Sequence, residues 1–292
     1  TAPAVFCQVL PPEEWTRAKG ARVVWVPMWD DLWQWTQTDW DRLPRNLRVV
    51  AYCSALADCA ERAGLETLRV RYFLDPSAVR PAAWNHGRVL FYWNRTGLLK
   101  RSRLMALCRA LDVRRLLFRA RTDPGVPSRY RYAMPERFDG VCVESVPDWL
   151  PREAFVAAVR EANIVIAPRA REGVGMVMLE AMARGCAVIG LDTPTMNEYI
   201  THGRSGILLP RASEGPTAFL VRRMLNRMRR LAHRPVAFFR ESLSPRIDWD
   251  ALGRMDLQAL GTTAREEHAS GYAAWRRQIP ELARFLTEWP DD

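Results

Sequence analysis

The densest run of chemistry-bearing residues is Asn163–Leu209, NIVIAPRAREGVGMVMLEAMARGCAVIGLDTPTMNEYITHGRSGILL. An apolar strand, Ile164–Ala167, ends at Pro168, and the loop after it carries Glu172. Gly173 and Gly175 then open a helix, through Val174 and Met176, with Glu180 in its early turns. Such a loop presents unpaired N–H groups and the positive end of a helix dipole at the mouth of a sheet, which makes an anion site. The glycines let a ligand approach the backbone without meeting a Cβ. Two carboxylates eight residues apart suit hydroxyls at two ends of one ligand, a sugar at one and a ribose at the other. Plainer readings stand beside these. Glu172 is then a loop carboxylate paired with Arg169 or Arg171, and Glu180 an i, i+4 partner of Arg184. Glu198 is either a ligand contact or a cap for the turn at Thr201–Gly206. Met176, Met178 and Met182 read as core packing.

The elements that must position these groups alternate along the chain. Strands are expected at Val5–Leu10, Val23–Val26, Leu47–Tyr52 and Val70–Leu74. Between the last two, Ser54 caps a helix with apolar Leu56, Cys59, Ala60 and Ala63, and Gly64 ends it. Ser77–Gly87 reads as a linker. A second series follows: strands at Val89–Trp93, Leu116–Phe118, Val141–Val143, Ile164–Ala167, Ala187–Gly190 and Ile207–Leu209. Its helix faces are Leu104–Leu111 and Phe155–Ala162, with a further helix at Val177–Arg184. Alternation of this kind means βαβ units and parallel sheets. The fold class is α/β, two Rossmann-like domains facing each other across a cleft, the N-terminal one reduced. The domain expectation is 1–80, 81–260 and a helical segment 261–292 packing back on the first domain.

With these residues on the page, the donor segment resembles that of GT-B glycosyltransferases of the retaining GT4 type (glycosyl transferases group 1). Their signature EGxGxxxxEAMAxGxxVI is matched by Glu172-GVGMVML-Glu180-AMARGCAVI, followed by Glu198-Tyr199-Ile200 and Gly203-RS-Gly206-Ile207-Leu208. The family also places an Arg and a Lys five apart after the first strand of the nucleotide domain, and Arg95-TGLL-Lys100 is similar. The chain has Asn94 and Arg101 where the family usually has glycines. The resemblance implies a nucleoside diphosphate sugar as donor and a glycan or lipid-linked acceptor. It implies Arg95 and Lys100 on the diphosphate, Glu172 on the donor sugar, and Glu180 on the ribose. The N–H groups around Gly173, Val174, Gly175 and Met176 face the leaving phosphate, with Glu198 among the donor contacts. No metal or other cofactor is implied, because cations take its place, and the departing phosphate helps to deprotonate the acceptor. The family's acceptor-side histidine has no counterpart, since no histidine precedes His86.

Composition narrows the alternatives. The 292 residues are 48% hydrophobic and 26% charged, as in ordinary globular proteins, which excludes collagen and wholesale disorder. No apolar run is long enough to span a bilayer, and no signal peptide is visible at the start of this sequence. A cytoplasmic protein is expected, with peripheral contact to the inner face of a membrane as an option. The net charge is +10, and only Lys19 and Lys100 of the 43 basic residues are lysines. Arginine suits phosphate, so anionic partners are indicated, although high-GC coding alone accounts for such a bias equally well. The six cysteines form no CxxC pair and read as buried thiols, and the four histidines are scattered. Six of twelve tryptophans fall within the first forty residues: Trp15, Trp25, Trp29, Trp33, Trp35 and Trp40. They build either a core or a sugar-stacking platform. Arg222, Arg223, Arg227, Arg229 and Arg230 flank Val221, Met224, Leu225 and Met228 as a basic amphipathic helix, a solvated face or a membrane contact. Asp30-Asp31 is an acidic doublet read as acceptor-side or structural. Rival functions are a nucleic-acid-binding protein, which no recognition motif supports, a catalytically silent GT-B module, and a sugar-nucleotide epimerase.

Overall fold

The computed structural model describes residues 3–8, 10, 22–124, 126–212, 224 and 246–289. The apolar runs pair into two separate sheets. The first is parallel throughout, in the order β1 (Ala4–Gln8), β2 (Val23–Pro27), β3 (Leu47–Ala51), β4 (Glu66–Arg69). Its helices are α1 (Trp29–Leu32), α2 (Gln37–Trp40) and α3 (Ser54–Arg62). β2 and β3 are buried at every position, as central parallel strands covered on both faces must be. Trp25, Trp35 and Trp40 meet at ring-centroid distances of 5.5–5.8 Å, with Trp25 and Trp40 buried. This cluster is core, not a sugar platform. Trp15 lies outside the described residues.

The second sheet runs β11-β10-β9-β5-β6-β8-β7. Its strands are β5 (Val89–Trp93), β6 (Arg115–Arg119), β7 (Arg137–Phe138), β8 (Val141–Ser145), β9 (Ile164–Ile166), β10 (Ala187–Leu191) and β11 (Ile207–Leu209). Only β7 is antiparallel. Helices α4 (Arg101–Ala110), α5 (Arg152–Ala158), α6 (Met176–Arg184), α7 (Met196–Tyr199) and α8 (Trp249–Gly253) complete this unit. Leaving out β7, the order is that of a doubly wound nucleotide-binding sheet, and it reverses between β5 and β9. The first sheet has no such reversal, so only the second has a crevice of its own at a switch point.

One expected strand is absent. Val70–Leu74 is not a strand; the fourth strand is Glu66–Arg69, and past it only the Val70 N–H still donates to β3, at the Ala51 carbonyl (2.9 Å). Val70 is buried with Val24, Val26 and Val50, and the burial of Phe73 comes from the crossing between the two units. Phe73 packs against Tyr199 and His268, whereas β4 is an edge strand with exposed ends. Of the cysteines, Cys53, Cys108 and Cys186 are buried, and Cys7 is exposed. Among the described residues no helix is long and apolar enough to cross a membrane. Apart from Met224, the arginine-rich stretch 221–230 lies outside them.

A single 31-residue helix, α9 (Leu257–Thr287), fastens the two units together. Its first turns bury Leu257, Leu260 and Ala264 in the second unit. Gly261 is needed there, because a Cβ at that position would lie 2.2 Å from the Gly185 carbonyl oxygen. Its last turns bring Trp275, Leu282, Phe285 and Leu286 against Val24, Val26, Val50 and Val70 of the first sheet. Arg48 locks this end. Its Nη1 donates to the carbonyls of Phe285 (2.9 Å) and Glu288, and its Nε donates to Glu66 at 2.6 Å. The guanidinium lies 4.3 Å from the Trp289 ring centroid. Arg48→Met keeps the aliphatic stem but strips these carbonyls of a donor, a loss of about 1–3 kcal/mol. Hydrogen exchange should accelerate from about residue 275 onward and stay unchanged at 257–268; uniform protection along α9 would contradict this docking.

His268 is fully buried against Phe73, and neither ring nitrogen has a partner among the described residues. Burial pushes its pKa down to about 4. As pH falls through 6.5 the unfolded chain takes up this proton and the folded chain does not. Stability is therefore complete above 6.5 and declines towards pH 4. In His268→Leu the drop in Tm between pH 6.5 and 4 should be smaller than in the wild type.

Candidate active site

Ligands of doubly wound sheets sit outside the carboxyl ends of the strands where the order reverses. Here that is the end of β5, which delivers Arg95, and the end of β9, which delivers the loop 167–175. A hollow of about 270 Å³ opens at this point. One wall is Arg95, Glu172 and the run Gly173–Val177; the facing wall is Gln8, Met28 and Asp30 from the first unit.

The loop is tightly specified. Gly175, with φ 80° and ψ 49°, sits in the left-handed region at the N-cap of α6, where a glycine carries no Cβ penalty. At Gly173 a Cβ would lie 2.5 Å from Met28 Sδ, so the glycine lets the two units close on each other. Thr195 Oγ1 donates to the Glu172 carbonyl at 2.6 Å, Thr193 Oγ1 to that of Ala170, and Thr96 Oγ1 to that of Pro168 at 3.1 Å. Thr195 itself adopts φ 65°, a strained conformation for a β-branched residue. The carbonyls of the loop are thus hung from hydroxyls that follow neighbouring strands.

Charges cross the cleft as an alternating chain. Arg169 Nη1 donates to Asp30 Oδ2 at 2.8 Å, and its Nη2 to Asp123 Oδ2 at 2.7 Å. Arg95 Nε donates to both oxygens of Asp123, at 2.7 and 3.0 Å. Beside it the Arg171 guanidinium lies 3.7 Å from the ring centroid of Trp33. Burial pushes Glu172 up to about 7, against the pull of Arg169 and Arg95. Asp30 is raised as well, by burial and by the adjacent Asp31, with Arg169 opposing.

The structure gathers Arg95, Glu172, Gly173, Val174, Gly175 and Met176 at one hollow. Met176 is an exposed lining residue there, while Met178 and Met182 are core. Lys100 is exposed at the N-cap of α4 and does not line the hollow. Leu98 and Leu99 between them are buried, and Gly97 turns left-handed (φ 67°) against Tyr130. Glu180, half-buried on α6, stands 3.6 Å from Arg152. Arg184, its expected i+4 partner, donates instead to the carbonyls of Val159, Arg160 and Ala162.

Glu198 does not cap the turn at Thr201–Gly206, where Ser205 Oγ accepts from Thr201 N. Its carboxylate accepts from Ser54 N (2.7 Å), Ser54 Oγ (3.1 Å) and Arg69 (2.8 Å). It therefore caps α3 of the first unit, the task expected of Ser54 itself. A cap supplied by a residue 144 positions away leaves no local signature. Sequence reasoning missed Gln8 and Asp123, and offered Arg169 only as a partner for Glu172, whereas its hydrogen bonds go to Asp30 and Asp123. A second hollow of about 660 Å³, lined by Ala120–Pro124, Arg131–Ala133 and Asp148, lies at the end of β6 and shares Asp123 with Arg95.

This architecture, two Rossmann-like units closing on a switch-point hollow, is the GT-B fold. Residues 141–227 match the family described as Glycosyl transferases group 1, a match that takes in Glu172, Glu180 and Glu198. No curated protein sequence matches the chain. Among solved structures it is similar to sucrose-phosphate synthase from Thermosynechococcus elongatus, with TM-score 0.55 and 16% identity over 93% of this chain and 70% of that one. It is also similar to TarM of S. aureus, with TM-score 0.54 and 13% identity over 97% of this chain. The chain spans 54% of that protein's length. Anabaena HepE aligns at TM-score 0.53 and 15% identity over 89% of this chain and 71% of that one.

An anion seated at Arg95 adds negative charge beside Glu172 and engages one of the two cations, after Arg169, that hold its pKa down. Its pKa then rises above about 7, and binding at pH 7.5 takes up part of a proton. In calorimetry with pyrophosphate, the dependence of binding heat on buffer ionisation enthalpy should give more proton uptake for wild type than for Glu172→Gln. Equal slopes would put Glu172 out of the anion's reach.

Proposed function

We propose that the protein is a retaining, metal-independent glycosyltransferase. It moves a sugar from a nucleoside diphosphate sugar to a glycan or lipid-linked acceptor in the assembly of a surface polysaccharide. One observation carries the reading: the helix N-terminus, Arg95 and Glu172 open into a single hollow at the topological switch point. When the bond from the anomeric carbon to the diphosphate breaks, its electron pair leaves with the diphosphate. Arg95 and the N–H groups at Gly173–Met176 meet that charge, and such fixed donors are worth on the order of 3–4 kcal/mol each. Lys100, five residues on, is assigned the second cation. Glu172 holds hydroxyls of the donor sugar, and Glu180 the ribose. The hollow at the end of β6 has room for the nucleoside. The departing phosphate helps take the acceptor's proton, which is the basis for assigning retention. These cations supply the charge neutralisation for which other transferases use a metal. The enzyme works in the cytoplasm, with the arginine-rich stretch 221–230 as its contact to an anionic membrane face.

HepE has been solved in complex with UDP, which makes UDP the first nucleotide to try. A thermal-shift series with UDP, GDP and ADP should single out one base. Stabilisation of roughly 2.7 kcal/mol is expected at a hundredfold excess over Kd. Arg95→Ala should abolish that shift, and Glu172→Gln should preserve nucleotide binding while cutting sugar transfer by about 10²-fold or more. Absence of a shift with all three nucleotides sinks the reading.

A further inference from the structure

The net charge of +10 is concentrated in one part of the chain. Between Arg95 and Arg137 stand twelve basic residues and three acidic ones. Several of these cations are neutralised within the fold. Arg95 is held by Asp123, Arg109 pairs with Asp139, Arg114 with Asp112, and Arg115 with Glu144 and Glu161. Arg119 donates to the Asp148 carbonyl. Six others, Lys100, Arg101, Arg103, Arg121, Arg129 and Arg131, have no carboxylate partner among the described residues. The fold gathers these six. Asn94 Nδ2 donates to the Tyr130 carbonyl and Tyr132 Oη to the Leu99 carbonyl, each at 3.1 Å, and a Cβ at Gly97 would lie 2.6 Å from Tyr130 Cβ. Arg129 and Arg131 are thereby set beside Lys100, Arg101 and Arg103 at the start of α4. Arg121 shares with Arg131 the lining of the hollow at the end of β6.

This strip opposes the protein's own electrostatics. The first turn of α4 carries Arg101 and Arg103 and no acidic residue, at the end of a helix where the dipole favours anions. Of the six cations only Lys100 is assigned to the donor, whose nucleoside is uncharged and whose diphosphate is met at Arg95 and the start of α6. One anion occupies one or two cations, whereas a row of them suits negative charge repeated along a chain. Aromatic rings alternate with the cations. The guanidinium of Arg121 lies 4.5 Å from the Trp149 ring centroid, that of Arg129 4.9 Å from Tyr130, and that of Arg103 5.9 Å from Trp249. Trp149 is 77% exposed, and such a ring stacks on sugar faces. Cations set around a hollow fit a chain that can enter it better than they fit the plane of a bilayer.

We propose that this strip on the second unit binds an acidic polysaccharide, a chain of sugars bearing carboxylates or phosphates, and that this chain is the acceptor. The inference rests on the glycosyltransferase reading and makes its acceptor a polyanion. Arg101 and Arg129 hold the chain away from the reacting end and touch no reacting atom; neither lines the donor hollow or the one at the end of β6.

The test is calorimetry on the full chain with maltohexaose, hexagalacturonate, phosphorylated maltohexaose, hexauridylate and vesicles of phosphatidylglycerol in phosphatidylcholine. Wild type should bind at least one of the two acidic sugars, more weakly as salt rises, and should not bind maltohexaose. The double variant Arg101→Gln/Arg129→Gln should weaken that binding about tenfold and leave UDP affinity within about twofold. The double variant Arg109→Gln/Arg114→Gln removes the same charge from arginines that are already paired, and should keep the acidic sugar within about twofold. Equal losses in the two double variants would mark a response to net charge alone and overturn the proposal. Tighter binding of hexauridylate or of the vesicles than of either acidic sugar, lost in Arg101→Gln/Arg129→Gln, overturns it in favour of nucleic acid or lipid. A wild type that binds UDP and neither acidic sugar overturns this inference alone. A wild type that binds an acidic sugar but none of UDP, GDP and ADP overturns the functional reading, and with it the role of acceptor.

Discussion

The ionic chain Asp30–Arg169–Asp123–Arg95 is the constraint around which the site is arranged. It begins on a helix of the first unit, crosses the cleft, and ends on Arg95, two residues past the end of β5 in the second. Its two cations and two anions balance. Each member is partly desolvated, with side chains 20–28% exposed, and removing any one strands its neighbour. Arg95 is thereby oriented through its Nε. An anion arriving at Arg95 meets a guanidinium already fixed in place, which lowers the ordering cost of binding. The same chain ties the position of that cation to the seating of the first unit.

The rest of the architecture holds the two units at the separation this chain requires. Gly173 against Met28 and Arg171 over Trp33 close the cleft beside it. Glu198 on α3 and Arg69 secures the side near the crossing, and Tyr199 donates to the Tyr72 carbonyl there. Helix α9 spans both units at the back, with Gly261 against Gly185 at one end and Arg48 against Phe285 and Glu288 at the other. The apolar turns of α9 cover Val24, Val26, Val50 and Val70, so the reduced unit is completed by the far end of the chain.

Much of this was legible in the sequence, and the reasons are local. The strands of the second sheet are short apolar runs bounded by Gly, Asp and Pro, and β5 and β11 have the expected limits. The loop at Glu172–Met176 could be read because its glycines answer to nearby geometry: a left-handed N-cap at Gly175 and a close approach at Gly173. The resemblance to group 1 glycosyltransferases rests on this same local run, and the family match covers it.

What only the tertiary structure decided is which side chains meet across the cleft. Glu198 looks alike in sequence whether it binds a ligand, caps its own turn or, as observed, caps a helix 144 residues earlier. Arg169 and Asp123 are two among many charged residues until the sheet order brings the ends of β9 and β6 to the two sides of β5. Val70–Leu74 has the composition of a strand, yet its apolar side chains serve the crossing between units instead of a ladder. Local backbone preference and hydrophobic period are written residue by residue, so the sequence determined the elements and the glycine-rich anion loop. Long-range pairing of charges depends on register and packing between distant segments, which no local pattern encodes, so the partners of those charges were settled only when the two sheets closed.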